Sequence, residues 1–264
     1  MNGSSKKSSP SRRVIFLGAS NLRLSFGTVV AAARRIWGEP VEIMAAIGHG
    51  RSYGQDSTVF GRKISGIFPC ALWQDLQKRP ALPTSALVTD IGNDLLYGVP
   101  PEQVLEWVAR CLDRLTQVGA TTLVTELPVA SIERLNEARF RLFRRLFFPQ
   151  SKLTYTDAQN LIVELNRELA ALCRAQKIPI IPVSSDWYGL DPIHLKRGVR
   201  SKAWPTMLAA WRGAEAAIEV ARSPLWTSAY LASLAPHERS VFGIRRRKAQ
   251  PSGRLSDGTT ISLY

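Results

Sequence analysis

Val14-Ile15-Phe16-Leu17-Gly18-Ala19-Ser20-Asn21 is an apolar, branched run that stops at a glycine and gives way to small polar residues. Short apolar runs bounded by turn residues read as buried strands, and here helical periodicity follows to about Arg35. The same unit recurs along the chain. Residues 41–47, 86–91, 122–127 and 178–183 are apolar runs that each lead through Gly, Pro, Ser or Asn into a longer segment, mostly of helical period. In 101–118, Val104, Leu105, Val108, Cys111, Leu112 and Leu115 share one helical face, and in 157–176 Leu161, Ile162, Leu165, Leu169, Leu172 and Cys173 do the same. Strand alternates with helix, so an α/β architecture is expected, with five strands in a parallel sheet covered by helices on both faces. Ligands of such sheets bind beyond the carboxyl ends of the strands, which directs the search for chemistry to the loops after these runs.

Composition narrows the classes further. At 264 residues, 45% hydrophobic and 21% charged, the chain can bury the core of one α/β domain. No apolar run approaches the ~18–20 residues of a membrane-spanning helix, and the run 14–17 is too short for a signal-peptide core. Cys70, Cys111 and Cys173 are far apart with no CxxC spacing. Neither a disulfide framework nor a zinc site is therefore expected, and a reduced, cytoplasmic setting is the default. The net charge of +14 is concentrated at the ends. Lys6, Lys7, Arg12 and Arg13 stand without an acid in 1–13, and Arg245, Arg246, Arg247 and Lys248 cluster near the other end. The expected division is a basic flexible tail 1–13, an α/β domain 14–222, and a second basic, mobile tail 223–264, where Pro, Ser and Gly displace the apolar pattern. Residues 55–79, interrupted by Gly61, Gly66 and Pro69, read as a packed excursion over one sheet edge.

Ser20 sits where the first strand meets its helix. One reading is a helix N-cap, because a serine oxygen there accepts an orphan backbone N–H. The other is a nucleophile, exposed at the mouth of the sheet beside the positive end of a helix. A hydroxyl attacks only when a base takes its proton, and the chain holds three histidines. His237 falls in the expected tail, and His49 in a glycine-rich loop after the second strand. His194 occurs in Asp191-Pro192-Ile193-His194-Leu195, where an acid three residues ahead can bond one ring nitrogen and fix the tautomer. A surface ion pair or a capping Asp is the plainer reading of that spacing. Gly48-His49-Gly50-Arg51-Ser52-Tyr53-Gly54 and Asp90-Ile91-Gly92-Asn93-Asp94 are turn-forming loops that also offer N–H groups and an amide to a developing oxyanion.

Taken in order, Ser20, the glycine loop, Gly92-Asn93-Asp94 and Asp191-x-x-His194 resemble the four blocks of the SGNH or GDSL-type hydrolases, over about 14–211. The resemblance implies a flavodoxin-like three-layer α/β/α sandwich around a five-stranded parallel sheet, and hydrolysis of acyl or acetyl esters without a metal or cofactor. It implies Ser20 as nucleophile, His194 as general base and Asp191 as its orienting acid. The oxyanion hole would comprise the N–H groups of Ser20 and Gly50 and the side-chain amide of Asn93, with Gly50 preferred to Gly48 because Ser52 follows it at the family's spacing. Two positions depart from the pattern: Ala19 stands where the family commonly has Asp, and Gly92 abuts Asn93 without an intervening residue.

The stretch 132–148 mixes Arg134, Arg139, Arg141, Arg144 and Arg145 with Leu135, Leu142, Phe143, Leu146 and Phe147, and reads as a basic amphipathic helix packed on the sheet. Peripheral membrane contact is the minority reading of that helix. Arg51 and Arg197 neighbour the proposed site residues, where they either favour an anionic substrate or are simply solvated. The expected partner is a small-molecule, lipid or carbohydrate ester. A nucleic-acid partner is not expected, since the excess charge lies in the tails. The alternative class is a binding protein of the same fold that recognises an anionic partner through those tails.

Overall fold

The computed structural model describes residues 9–38, 40–59, 61–147, 151–189, 191–213, 224–241 and 244–264. In chain order the strands are β1 (Arg13–Leu17), β2 (Glu42–Ala46), β3 (Ser57–Val59), β4 (Arg62–Ile64), β5 (Thr84–Val88), β6 (Thr121–Thr125), β7 (Ile180–Ile181), β8 (Glu238–Val241), β9 (Ile244–Arg247), β10 (Gly253–Arg254) and β11 (Thr260–Leu263). The helices are α1 (Ser20–Leu24), α2 (Phe26–Trp37), α3 (Leu72–Lys78), α4 (Asn93–Leu96), α5 (Pro101–Gln117), α6 (Val129–Glu133), α7 (Glu137–Phe147), α8 (Tyr155–Ala175), α9 (Arg200–Ala209) and α10 (Leu225–Ser233).

The main sheet runs β10-β11-β2-β1-β5-β6-β7, and the five strands read from the sequence are the contiguous parallel run β2-β1-β5-β6-β7 within it. Alternation along each strand sends successive side chains to opposite faces and so builds two cores. Val14 and Phe16 of β1, with Ile43 and Ala45 of β2, pack against α2, α9 and α10. Ile15 and Leu17, with Met44 and Ala46, pack against α3, α5 and α8. The result is the expected three-layer α/β/α sandwich. The buried faces of α5 and α8 carry the periodicity expected of them, Val104, Val108, Cys111, Leu112 and Leu115 on the first and Ile162, Leu165, Leu169 and Cys173 on the second.

Three expectations need correction. The sheet has seven strands, because β11 inserts beside β2 in parallel, with Thr260 opposite Glu42 and Leu263 opposite Ala45, and β10 adds an antiparallel edge. Residues 260–263 are all buried, so the last part of the expected mobile tail belongs to the core of the domain. The tail boundary at 222–223 and residues 1–8 of the N-terminal tail lie outside the described residues. The excursion 55–79 is likewise more than an edge cover. Its strands β3 and β4 join β8 and β9 in a second, antiparallel sheet of order β3-β4-β8-β9.

A buried ionic cluster ties β1, β2 and β11 together. Arg13 Nε donates to Glu42 Oε2 at 2.6 Å, Arg79 binds the other oxygen of Glu42, and Arg79 Nη2 donates to Ser262 Oγ at 3.1 Å. Buried charges persist only when paired and hydrogen-bonded, which this shared carboxylate achieves for both guanidinium groups.

Candidate active site

Ser20 is the first residue of α1, with Ala19 at the N-cap and no side chain of the helix capping it. Its hydroxyl is turned elsewhere, Oγ lying 2.8 Å from Nε2 of His194 across 174 residues of sequence. Nδ1 of the same ring lies 2.6 Å from Asp191 Oδ2. An Nδ1–H donated to Asp191 leaves the Nε2 lone pair to accept the serine proton. Asp191 is itself held, since its Oδ1 accepts the N–H groups of Ile193 and His194, each at 3.2 Å. Burial pushes the Asp191 carboxyl up, but the hydrogen bond and charge of His194 and these two N–H groups outweigh it and leave the carboxyl below the ordinary range. The histidine side chain is 17% exposed and the aspartate 40%.

Helix capping falls to Asp90, in the loop after β5. Its Oδ2 accepts the N–H of Ala19 at 2.9 Å and of Asn21 at 3.1 Å, and more weakly that of Leu22, passing over the N–H of Ser20. Asp90 adopts φ +59°, a left-handed conformation that Asp tolerates better than most residues. Burial raises its carboxyl, against the bonds from Asn21 and Ala19 and the charge of His194. Asn21 completes the clamp. Its Nδ2 donates to Asp90 Oδ1 at 2.8 Å and to the carbonyl of Ile193 at 2.7 Å, while its Oδ1 accepts the N–H of Leu195 at 2.9 Å. The residues on both sides of His194 are thus tied to the residue after Ser20. The roles of Asn21 and Asp90 are absent from the sequence reading. Their adjacency to Ser20 and to the Gly92-Asn93 loop was the available signal.

Asn93 opens α4 and is buried, its Nδ2 donating to the carbonyl of Arg51 at 3.5 Å. Gly50 adopts φ +58°, which favours glycine, and its carbonyl accepts the hydroxyl of Tyr97 at 2.6 Å. The two candidate oxyanion loops are joined by Asp94, whose carboxylate accepts Ser52 Oγ–H and the N–H of Tyr53, the latter at 2.9 Å. Burial pushes the Asp94 carboxyl up to about 6, against those two bonds. Gly48 lies two residues before Gly50 in the same loop, its α-carbon facing Ile64 and Arg51.

Arg51 is neither solvated nor presented to a ligand. It is 1% exposed, and its guanidinium donates to the carbonyl of Ser65 at 3.0 Å and to the carbonyls of Ile47 and Tyr264. Arg197 is exposed. His49 is exposed, and His237 sits within ordered backbone, its N–H donating to Leu263 and its ring against Tyr264.

Ser20 and Asn93 open onto a cleft of about 70 Å³ beyond the carboxyl ends of β5 and β6. Its far walls are apolar, chiefly Leu127, Ile132, Leu135, Phe140, Phe143 and Ile162. The amphipathic helix expected over 132–148 is in fact two helices, α6 and α7, broken where Asn136 Oδ1 accepts the N–H of Arg139 and starts a new helix. The break turns Phe140 and Phe143 into the cleft, so the apolar stripe of α7 covers the site. Leu142 and Leu146 are exposed on the same helix.

No family model and no curated protein matches the chain. Solved structures do. An aryl esterase of M. smegmatis superposes with a TM-score of 0.52 at 15% identity, covering 79% of this chain and 100% of that one. The esterase EstA of a Pseudoalteromonas species (TM-score 0.47, 11% identity, 76% and 99% coverage) and a GDSL-like lipase of Bacteroides thetaiotaomicron (0.46, 15%, 77% and 86%) are further neighbours. The fold of this chain is thus similar to that of the aryl esterase.

Proposed function

We propose that this protein is a serine hydrolase that cleaves carboxylic esters through an acyl-enzyme on Ser20, without a metal. The observation that carries the reading is the continuous chain of short contacts from Asp191 through both nitrogens of His194 to the hydroxyl of Ser20. In the first half-reaction His194 Nε2 takes the hydroxyl proton as Oγ bonds to the ester carbonyl carbon. The carbonyl oxygen, now an anion, meets the N–H groups of Ser20 and Gly50 and the amide of Asn93. The tetrahedral intermediate collapses, the C–O bond to the alcohol breaks, and the imidazolium returns its proton to the departing oxygen. In the second half-reaction water attacks the acyl carbon, His194 takes its proton, and the carboxylic acid leaves with Ser20 restored. Asp191 holds the tautomer and balances the imidazolium without itself taking a proton. The apolar cleft accepts the acyl part.

A fluorophosphonate probe tests this directly. The expected result is one label per chain on Ser20, lost in Ser20→Ala, together with hydrolysis of a short-chain 4-nitrophenyl ester. Absence of both overturns the proposal in favour of a non-catalytic binding protein.

A further inference from the structure

The order of the sheet puts Ser20, which follows β1, in the middle of the carboxyl rim, with a cavity on each side. The apolar cleft lies beyond β5 and β6. A larger cavity of about 1000 Å³ lies beyond β2 and β11, bordered by Gly48 and His49 on one strand end and Leu263 and Tyr264 on the other. The two differ in chemistry. Among the described residues lining the larger one, and leaving aside the buried Arg51, are five arginines and lysines, Arg23, Lys63, Arg239, Arg245 and Arg247, against two carboxylates, Asp56 and Glu238.

The second sheet supplies its outer wall. Lys63 stands opposite Ser240 and Ser240 opposite Arg245, so these three side chains share one face, and the Glu238–Arg247 pair lies on that face two residues along. Glu238 lies 3.9 Å from Arg245 and 3.7 Å from Arg247, a single carboxylate between two guanidinium groups. Across the cavity, Arg23 is one helical turn from Ser20 on α1, and His49 precedes Gly50. The lining therefore includes sequence neighbours of Ser20 and Gly50, though not those two residues themselves.

An ester has two sides, and this rim offers an apolar receptacle for one and a cationic receptacle for the other. We propose that the basic cavity receives the leaving-group side of the substrate, and that this side carries phosphate. The substrate class is then an apolar acyl ester of a phosphorylated alcohol or thiol. The proposal deepens the hydrolase reading and rests on it. Guanidinium forks match phosphate oxygens two at a time, and several cations spaced along one row suit a dianion better than a single carboxylate. No phosphate bond changes in the reaction: water supplies OH to the acyl carbon and H to the departing oxygen or sulfur, and the phosphate leaves with its alcohol or thiol.

The test compares 1-octanoyl glycerol 3-phosphate with 1-octanoyl glycerol, which share an acyl chain. Wild-type protein is expected to favour the phosphorylated ester by at least about tenfold in kcat/KM, chiefly through KM, with the preference eroded by about 0.5 M NaCl. The double variant Arg245→Gln, Arg247→Gln removes side chains that are 67% and 75% exposed. It is expected to abolish the preference while turnover of the glycerol ester stays unchanged. Equal treatment of the two esters by wild type, or a preference that survives the double variant, overturns the proposal. Calorimetric titration of inorganic pyrophosphate into Ser20→Ala protein reads the cavity without catalysis. One-to-one binding that the double variant weakens at least tenfold is expected, and absence of binding overturns the proposal. If the cavity assignment alone is wrong, fluorophosphonate labelling and turnover of the glycerol ester persist. If both are lost while pyrophosphate still binds, the hydrolase reading has failed and the leaving-group assignment falls with it.

Discussion

With Ala19 ahead of Ser20, the first loop holds no acid of its own, and the carboxylate of Asp90 reaches in from the β5 loop to take the N–H groups of Ala19 and Asn21. The oxygen that caps α1 is therefore not the serine's, and the hydroxyl is left to His194. Replacing Ser20 or His194 by Ala is expected to cut turnover by about four to six powers of ten, and Asn93→Ala by roughly two to three, with little change in unfolding midpoint. Asn21 is a positioning residue. Asn21→Ala strands the N–H of Leu195 and the carbonyl of Ile193 and frees the His194 loop. The expected result is a kcat about 10- to 100-fold lower at near-constant KM, with about 1–3 kcal/mol lost in urea unfolding. A merely structural role would lower stability and leave kcat per folded molecule intact. At this scale Ser20, His194, Asp191 and Asn93 were legible as candidates, because each lies in a short local pattern, and the first three are those the structure brings within hydrogen-bond distance of one another. The sequence did not yield the work of Asn21 and Asp90, because their contacts join positions 68 to 174 residues apart.

Elements were legible where one period ran unbroken, as in α5 and α8, and illegible where a polar side chain interrupts it. Asn136 starts a new helix inside a stretch whose charge and apolar pattern read as one, and so redirects Phe140 and Phe143 from the sheet to the cleft. Phe143→Ala is expected to enlarge the cleft and raise kcat/KM for long straight-chain 4-nitrophenyl esters relative to the acetate, which a chain-length series measures. The two candidate oxyanion loops depend on Asp94 in a way that pH reveals. Its folded-state pKa of about 6 lies above the ordinary carboxyl value of 3.8, so the folded protein holds a proton that the unfolded chain has released. The stabilisation this brings is full below about pH 4 and is lost as pH rises through about 6, on the order of 2–3 kcal/mol. Urea unfolding at about pH 5 and 7.5 should show wild type losing more stability over that interval than Asp94→Asn, and parallel losses would refute the assignment.

For the whole molecule, five contiguous parallel strands of the sheet followed from five apolar runs, whereas its completion did not. Thr260-Ile261-Ser262-Leu263 alternates over only four residues amid Ser, Gly and Pro, and only the waiting edge of β2 makes it a strand. The second sheet is hidden for the same reason, since β4 and β8 are short and find each other across most of the chain. Ile261 is fully buried in the core shared with α2 and α9. Ile261→Ala should cost about 2–5 kcal/mol, read as a lowered denaturation midpoint by circular dichroism. Val41 and Thr259, which flank the β2–β11 pairing, are 218 residues apart, and a ribosome adding about 5–20 residues per second needs on the order of 10–40 s to make that length. Throughout that interval a nascent chain carries β2 with one row of backbone donors and acceptors open, a template for strands of neighbouring polypeptides. Yield of native protein in the cell should accordingly depend on how well chaperones shield that strand until translation delivers its mate.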